Sequence, residues 1–352
     1  MPDLTDDLTH HIQTAIEQRQ PVNIIGGNSK SFYGRSPQGH PLPIGGHTGV
    51  VNYEPTELVM TVRAGTTLVD VEHALEANHQ MLPFEPPRFD DAATIGGTIA
   101  CNLSGPRRPY AGAARDYVLG VTMINGKAQV LRFGGEVMKN VAGYDVARLM
   151  TGAMGTLGLL LDVSFKVLPK PASELTLMME LPCDKAIDSM NRWAAKAIPL
   201  SATAYVDSTL YVRVSGATTA VQAVRDHLGG DVLADADSFW RDLREHQLPY
   251  FSEAPALWRI SVPPHTPALA LPGQWLIEWG GALRWLTTQE SPARIREAAQ
   301  AAGGHATLFR GGDRNCDVFQ PLDERLATLH KNLKHAFDPH RVFNPGRLYA
   351  TL

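Results

Sequence analysis

The chain has 352 residues, 44% of them apolar, and a formal net charge of −4 from 32 Lys plus Arg against 36 Asp plus Glu. That is enough apolar material for a sizeable core, which excludes wholesale disorder, and too little positive charge for a polyanion-binding surface over the whole chain. Its three cysteines, Cys101, Cys183 and Cys316, are far apart and form no C-x-x-C pair, which argues against a disulfide framework and falls short of the four ligands an iron–sulfur cluster usually takes.

In chain order, the acidic start lacks the layout of a signal peptide, and no apolar run approaches the roughly 18 residues of a membrane span. The expectation is a cytoplasmic protein. Leu8, Ile12, Ala15 and Ile16 share one helical face, Asp6 and Asp7 favour the helix start, and Pro21 ends it. Val22 to Ile25 predicts a strand running into Gly26-Gly27, and Leu58 to Arg63 a second feeding Ala64-Gly65. Thr67-x-x-Asp70 opens a helix with Leu68, Val71 and Leu75 inward. Val121–Ile124 and Ala128–Phe133 flank Asn125-Gly126, the signature of a hairpin with a type I′ turn. Leu168-Pro169-Lys170-Pro171 marks a boundary. Beyond it, strands at 204–206, 210–214, 257–262, 275–279 and 305–309 alternate with helices at 217–228 and 294–302. That layout predicts a ferredoxin-like antiparallel sheet with helices on one side.

Familiar phosphate and nucleophile signatures are missing. No G-x-G-x-x-G follows a strand, Gly120 to Lys127 fits a hairpin better than a P-loop, and Ser104 lies in no G-x-S-x-G elbow. No His and carboxylate cluster has metal-ligand spacing, so no metal is expected. Three Gly-rich clusters remain. Gly26-Gly27-Asn28-Ser29-Lys30-Ser31 through Gly34 leaves a strand with little bulk and can turn its amides into an anion-binding nest. Ala93-Thr94-Ile95-Gly96-Gly97 through Gly105 and Gly134 through Gly158 allow close backbone approach to a flat ligand. Singly, each reads equally well as turn chemistry or a small-residue helix; their order is the specific feature.

With Arg115-Asp116-Tyr117-Val118-Leu119-Gly120, Lys139-Asn140-Val141-Ala142-Gly143-Tyr144-Asp145 and the closing Asn344-Pro345-Gly346-Arg347, that order resembles the vanillyl-alcohol oxidase and p-cresol methylhydroxylase family of flavoproteins. The middle region with Trp279-Gly280-Gly281-Ala282-Leu283-Arg284-Trp285 is similar, more narrowly, to the FAD-binding E subunits of bacterial glycolate oxidases. The resemblance implies an α+β fold: a two-lobed FAD-binding domain over 1–170, a smaller ferredoxin-like cap over 171–302, and a C-terminal segment over 303–352 returning to the cofactor.

It also implies roles. Gly26, Gly27, Asn28, Ser29 and Gly34 would hold the FAD pyrophosphate. Thr94, Gly96, Gly97, Asn102 and Gly105 would line its middle. Arg115, Asp116, Val118, Gly155 and Leu160 would lie near the adenosine half. Asn140, Val141, Gly143 and Tyr144 would sit near the ribityl chain or ring, which Asn344 and Arg347 would approach. No His lies in the first loop, where some relatives attach FAD, so binding is expected to be non-covalent. Relatives that oxidise 2-hydroxy acids carry a His-rich cap strand; here Glu278 to Trp285 takes its place, leaving Arg284 and His246 as polar candidates.

The implied function is the FAD-binding subunit of a glycolate oxidase acting on glycolate, with D-lactate a further candidate substrate. A sister FAD-containing catalytic subunit would oxidise the substrate, and an iron–sulfur subunit would pass the electrons on. No nucleic acid is expected, and membrane association, at the inner face of the cell membrane, would come only through partners. The rivals are a stand-alone FAD-dependent 2-hydroxy-acid dehydrogenase and a non-catalytic assembly subunit with Trp240, Trp258, Trp275, Trp279 and Trp285 supplying a partner-binding face.

Overall fold

Helix Thr5–Gln18 buries Leu8, Ile12 and Ala15, and the chain then enters a small parallel pair in which Val22–Ile25 runs beside His40–Pro43. This is a computed structural model, and it describes residues 3–135, 144–252 and 256–352. A C-terminal residue extends that pair, since Val22 also bridges Phe343. The second lobe is a five-stranded antiparallel sheet, in spatial order 50–54, 59–63, 159–166, 118–124, 130–134. Its middle strands are buried on both faces, and Thr61 and Ser164, opposite each other, satisfy one another across 2.8 Å. One apolar core runs through both lobes and takes in Val342 and Phe343.

The hairpin joining 118–124 to 130–134 forms in the expected place, but Ile124 pairs with Val130, so five residues turn rather than two. The Asn125 side-chain carbonyl accepts the amides of Lys127 and Gln129, and Ala128 adopts φ 54°. Gly126 serves docking instead: its amide donates to the Phe337 carbonyl, and a Cβ there would collide with Asp338. Asn-Gly reads here as a seat for the C-terminal segment.

The cap is larger than one ferredoxin-like unit. Eight strands line up as 231–232, 173–180, 209–216, 200–206, 274–278, 283–287, 256–261, 305–311. Numbering the strands of each half by sequence gives 4-1-3-2 and then its mirror, 2-3-1-4. Two ferredoxin-like halves are therefore joined edge to edge, where Ala204 meets Glu278 and Tyr205 meets Ile277. Strand 305–311 lies beyond the 302 boundary that the resemblance implied, yet it pairs with Ala256–Ser261 at the sheet edge. The first half has both crossover helices, Cys183–Ala194 and Thr218–Leu228; the second keeps only Pro292–Ala301 and crosses once by the segment 262–273.

Period-2 alternation sorts the sheet's faces. One packs on the helices through Val212, Val214, Trp258, Ile260 and Leu286. The other carries Ala202, Ala204, Leu257, Leu276, Leu283, Trp285 and Phe309, and meets Tyr33, Leu103 and Met154 of the first domain. Four of the five cap tryptophans proposed for a partner face, Trp240, Trp258, Trp279 and Trp285, are buried, and Trp275 is half-buried against the core that holds Trp258. They pack the cap rather than present an aromatic surface.

A buried ion cluster fastens cap to domain. Both Glu85 oxygens accept Arg213, at 2.9 and 2.8 Å, and Arg107 adds its amide and Nε at 3.1 Å each. Arg107 also reaches Glu174 of the cap. Burial pushes the Glu85 carboxyl up, but Arg213 and Arg107 together outweigh it and hold the group below the ordinary carboxylate range.

Candidate functional site

A cleft opens where the first two glycine clusters meet. Gly26 and Gly27 touch the second cluster directly: a Cβ on Gly27 would collide with the Ala92 carbonyl, and one on Gly26 with the Thr94 hydroxyl. Only glycine lets the two backbones close to this distance. Thr94 caps the helix Ile95–Cys101 by accepting the Gly97 amide. A Cβ on Gly96 would lie 2.7 Å from the Ala64 carbonyl oxygen, so that helix is pressed against the strand-exit loop.

The main chain supplies the donors. Among the described residues, the amides of Gly27, Asn28, Ser29 and Lys30 have no acceptor, and Asn28 sits at φ 60°. Four consecutive free amides around a left-handed residue form a nest that invites an anion. Among the described residues, Lys30 and Arg347 are the charged ones lining the cleft, and no carboxylate lines it. Burial lowers the Lys30 pKa; Cys101 and Glu245 pull it the other way. The Cys101 thiol, also on the wall, is pushed up by burial despite Lys30 and Arg347, so it stays protonated.

The C-terminal segment closes the far wall. The Asn344 Oδ1 accepts the Ile24 amide at 2.8 Å, and its Nδ2 donates to the Met154 carbonyl at 2.7 Å. Arg347 donates to the carbonyls of Ser31 and Arg35. The segment is anchored from behind by a buried ammonium: Lys334 donates to Asp338, to Thr156 O and to Phe343 O, each at 2.7 Å.

Of the residues singled out in the sequence, the cleft gathers Gly26, Gly27, Asn28, Ser29, Thr94, Gly96, Gly97, Gly155, Leu160, Asn344 and Arg347. Gly34 lies just behind, packed on Met154 and Arg347. Asn102 ends the small-residue helix at φ 51°, its Oδ1 buried without a partner. Gly105 lines a second cavity instead. Arg115 and Asp116 are exposed, Asp116 capping its own short helix by accepting the Ala113 amide, and Val118 is buried in the core. Tyr144 is 94% exposed. Asn140, Val141 and Gly143 lie outside the described residues.

Sequence reasoning did not single out Ala100, Cys101, Ile44 or Met154 as wall residues. For the first two a signal was present: Gly97, Ala100 and Cys101 stand three and four apart, on one face of the helix.

The two cap candidates differ from expectation. Arg284 alternates with Leu283 and Trp285, so it faces away from the first domain. It donates to the carbonyls of Gly281, Pro267 and Thr266, and lines neither the cleft nor the second cavity. It is a brace for the segment 262–273, not a carboxylate receptor. His246 does line the second cavity. It is stacked on Phe251 at 4.0 Å, and burial, with Arg310 and Arg259 adding to it, holds its pKa well below the usual value, so the ring is neutral.

Residues 1–134 match the family described as FAD binding domain. Glycolate oxidase subunit GlcE of Escherichia coli (strain K12) is 48% identical over 350 residues, 99% of each chain. The chain belongs to the GlcE family of glycolate oxidase subunits. Glycolate oxidase subunit GlcD of Bacillus subtilis (strain 168) is 31% identical over 179 residues, half of this chain and 38% of that one. The crystal structure of p-cresol methylhydroxylase with substrate bound superposes with a TM-score of 0.70 at 14% identity, covering 99% of this chain and 87% of the other. The fold of the GlcE family chain is thus the p-cresol methylhydroxylase type, as its motif order implied.

Proposed function

We propose that this chain is the FAD-binding subunit of a multi-subunit glycolate oxidase. The carrying observation is similarity along the whole length to a glycolate oxidase subunit, with glycine clusters of that match meeting in one cleft. The cleft fits the group: a run of unpaired amides suits a pyrophosphate, among the described residues two cations and no acid line the walls, and small residues leave room for flat rings. Gly26, Gly27, Asn28 and Ser29 would hold the phosphates, Thr94, Gly96 and Gly97 the middle of the cofactor, and Asn344 and Arg347 would close on it from the C-terminal side. FAD, when bound, supplies the electron-accepting chemistry; the protein supplies placement and charge.

Oxidation of glycolate belongs in this reading to a sister flavoprotein subunit similar to GlcD, and an iron–sulfur subunit takes the electrons on. The cap supports that division. Where 2-hydroxy-acid relatives have their His-rich strand, Trp285 Nε1 donates to Glu278 at 2.6 Å, and no metal-competent cluster occurs among the described residues. Among these residues, too, no helix is long and apolar enough to cross a membrane. Among the described residues no histidine lines the cleft, which favours non-covalent FAD.

Purified chain should be yellow and should release all its flavin to the supernatant on acid precipitation. It should reduce a dye with glycolate only after co-expression with the GlcD-like and iron–sulfur subunits. Flavin left in the pellet sinks the non-covalent assignment, and catalytic dye reduction by the chain alone sinks the division of labour.

A further inference from the structure

Two cations on the cleft wall are buried without a counter-ion. Lys30 is 7% exposed, and its ammonium makes two long contacts, to the Arg88 carbonyl at 3.3 Å and to the Ser29 hydroxyl at 3.4 Å. The carboxylate it senses, Glu245, is engaged elsewhere: one oxygen accepts the amides of Arg88 and Phe89 at 2.9 and 2.7 Å, and the other accepts Arg244 Nε at 2.7 Å. Arg347, 8% exposed, donates to the carbonyls of Ser31 and Arg35. Among the described residues neither cation has a carboxylate within ion-pair reach. Both act on one part of the wall, because the Cys101 thiol feels Lys30 first and Arg347 second, each drawing its pKa down against burial. Two positive charges around a neutral thiol are costly unless a bound group brings negative charge.

The Lys30 amide belongs to the nest, but its ammonium stands beside Arg88 and 5.8 Å from the centre of the Phe89 ring. That ground lies under the cap: Phe89 packs edge-on against His246 and Phe309, and Glu245 ties residues 88 and 89 to the cap. A pyrophosphate on the nest amides carries the same charge whatever the redox state of the cofactor. A flavin ring does not: it is neutral when oxidised and holds one negative charge once two electrons and one proton have been added. A cation beside the ring therefore favours its reduced form.

We propose that Lys30 tunes the bound flavin: its charge, with that of Arg347, holds the reduced ring more tightly than the oxidised one and so raises the reduction potential. A flavin held in this way accepts electrons more readily than free FAD, which suits a relay that takes them from a sister subunit. The inference rests on the FAD-binding reading and deepens it, since it assigns Lys30 to the ring rather than to the phosphates.

Anaerobic potentiometric titration of the FAD-loaded full chain against reference dyes, with dithionite as reductant, tests this. The potential reports the ratio of the affinities for reduced and oxidised flavin, so any loss common to both states cancels. Bound flavin in the unmodified chain should stand at a more positive potential than free FAD. Lys30→Met should cut the affinity ratio about tenfold, which moves a two-electron potential about 30 mV negative. Lys30→Gln keeps a donor for the Arg88 carbonyl but not the charge; it should shift the potential in the same direction, and it carries the test should Lys30→Met not fold. Lys30→Arg should retain most of the parent's value. A potential in the neutral variants equal to the parent's, or above it, overturns the proposal even where FAD affinity falls, since the ammonium then serves the phosphates or the loop. A parent potential at or below that of free FAD overturns it too. A chain that takes up no flavin overturns the FAD-binding reading and this inference together, whereas an unmoved potential on bound flavin overturns this inference alone.

Discussion

The cleft and the cap cavity both carry polar groups on their walls, yet they are made of different material. The cleft presents main-chain amides from loops that glycine allows to touch. The cavity presents side chains, Arg259, His246 and Glu278, from two strands and a helix end. Backbone sites depend on the absence of a Cβ and are intolerant of any bulk. Side-chain sites depend on charge balance, so they respond to pH and to isosteric substitution.

The largest effect should come from the backbone site. Gly27→Val sets a branched side chain against the Ala92 carbonyl, with backbone on both sides and nothing flexible to yield. Colourless or insoluble protein is expected; a soluble yellow variant with normal absorbance would break the claim that the cleft is glycine-limited. Next is the seam between the two regions. Glu85→Gln leaves Arg213 and Arg107 without their shared charge, and should cost about 3 kcal/mol in denaturant titrations at pH 7. The Glu85 carboxyl is held below its unfolded value, so its contribution is complete above that value and fades as pH falls through the folded one. Variant and parent should therefore converge in acid, and a gap that stays constant down to pH 3 would remove the ion cluster from the account.

The cavity should show the opposite sign. Glu278 titrates near 7 in the fold, above its unfolded value, so its ionisation opposes folding increasingly as pH rises from the unfolded value to 7. Glu278→Gln keeps the acceptor for Trp285 and should gain about 3 kcal/mol over the parent at pH 8, with no gain near pH 4. Thermal melts at both pH values decide; equal melting at pH 8 would refute the buried-acid picture. The smallest effect sharpens the comparison at a helix end beside the cleft. Thr67 accepts the Asp70 amide at 3.1 Å and bridges to Thr94. Thr67→Ala should lower stability by about 1 kcal/mol without loss of flavin; a colourless product would mean the cleft wall depends on this cap.

The cleft was legible because its information is local. A strand followed by Gly26-Gly27, a Thr before Ile95-Gly96-Gly97, and the closing Asn344 each announce a backbone shape within a few residues. The capped helix at Leu68 and the hairpin turn at Asp207-Ser208, where φ is 49° and 61°, were legible for the same reason. Arg284 and the cap tryptophans misled because residue type does not reveal which face of a strand meets the first domain. A shift of one position separates Arg284, tied to three carbonyls, from Trp285, on the cavity wall.

The sequence by itself determined the lobes' elements, the absence of acid from the first glycine loop, Gly26 through Gly34, and the small-residue contacts that make a cleft possible, since these follow from backbone sterics over a few residues. Tertiary structure alone decided the doubled ferredoxin-like cap, whose halves share a topology with no short sequence repeat, and the meeting of Arg259, His246 and Glu278 across it. Strand order and facing depend on pairings between residues tens of positions apart, and no local preference encodes them.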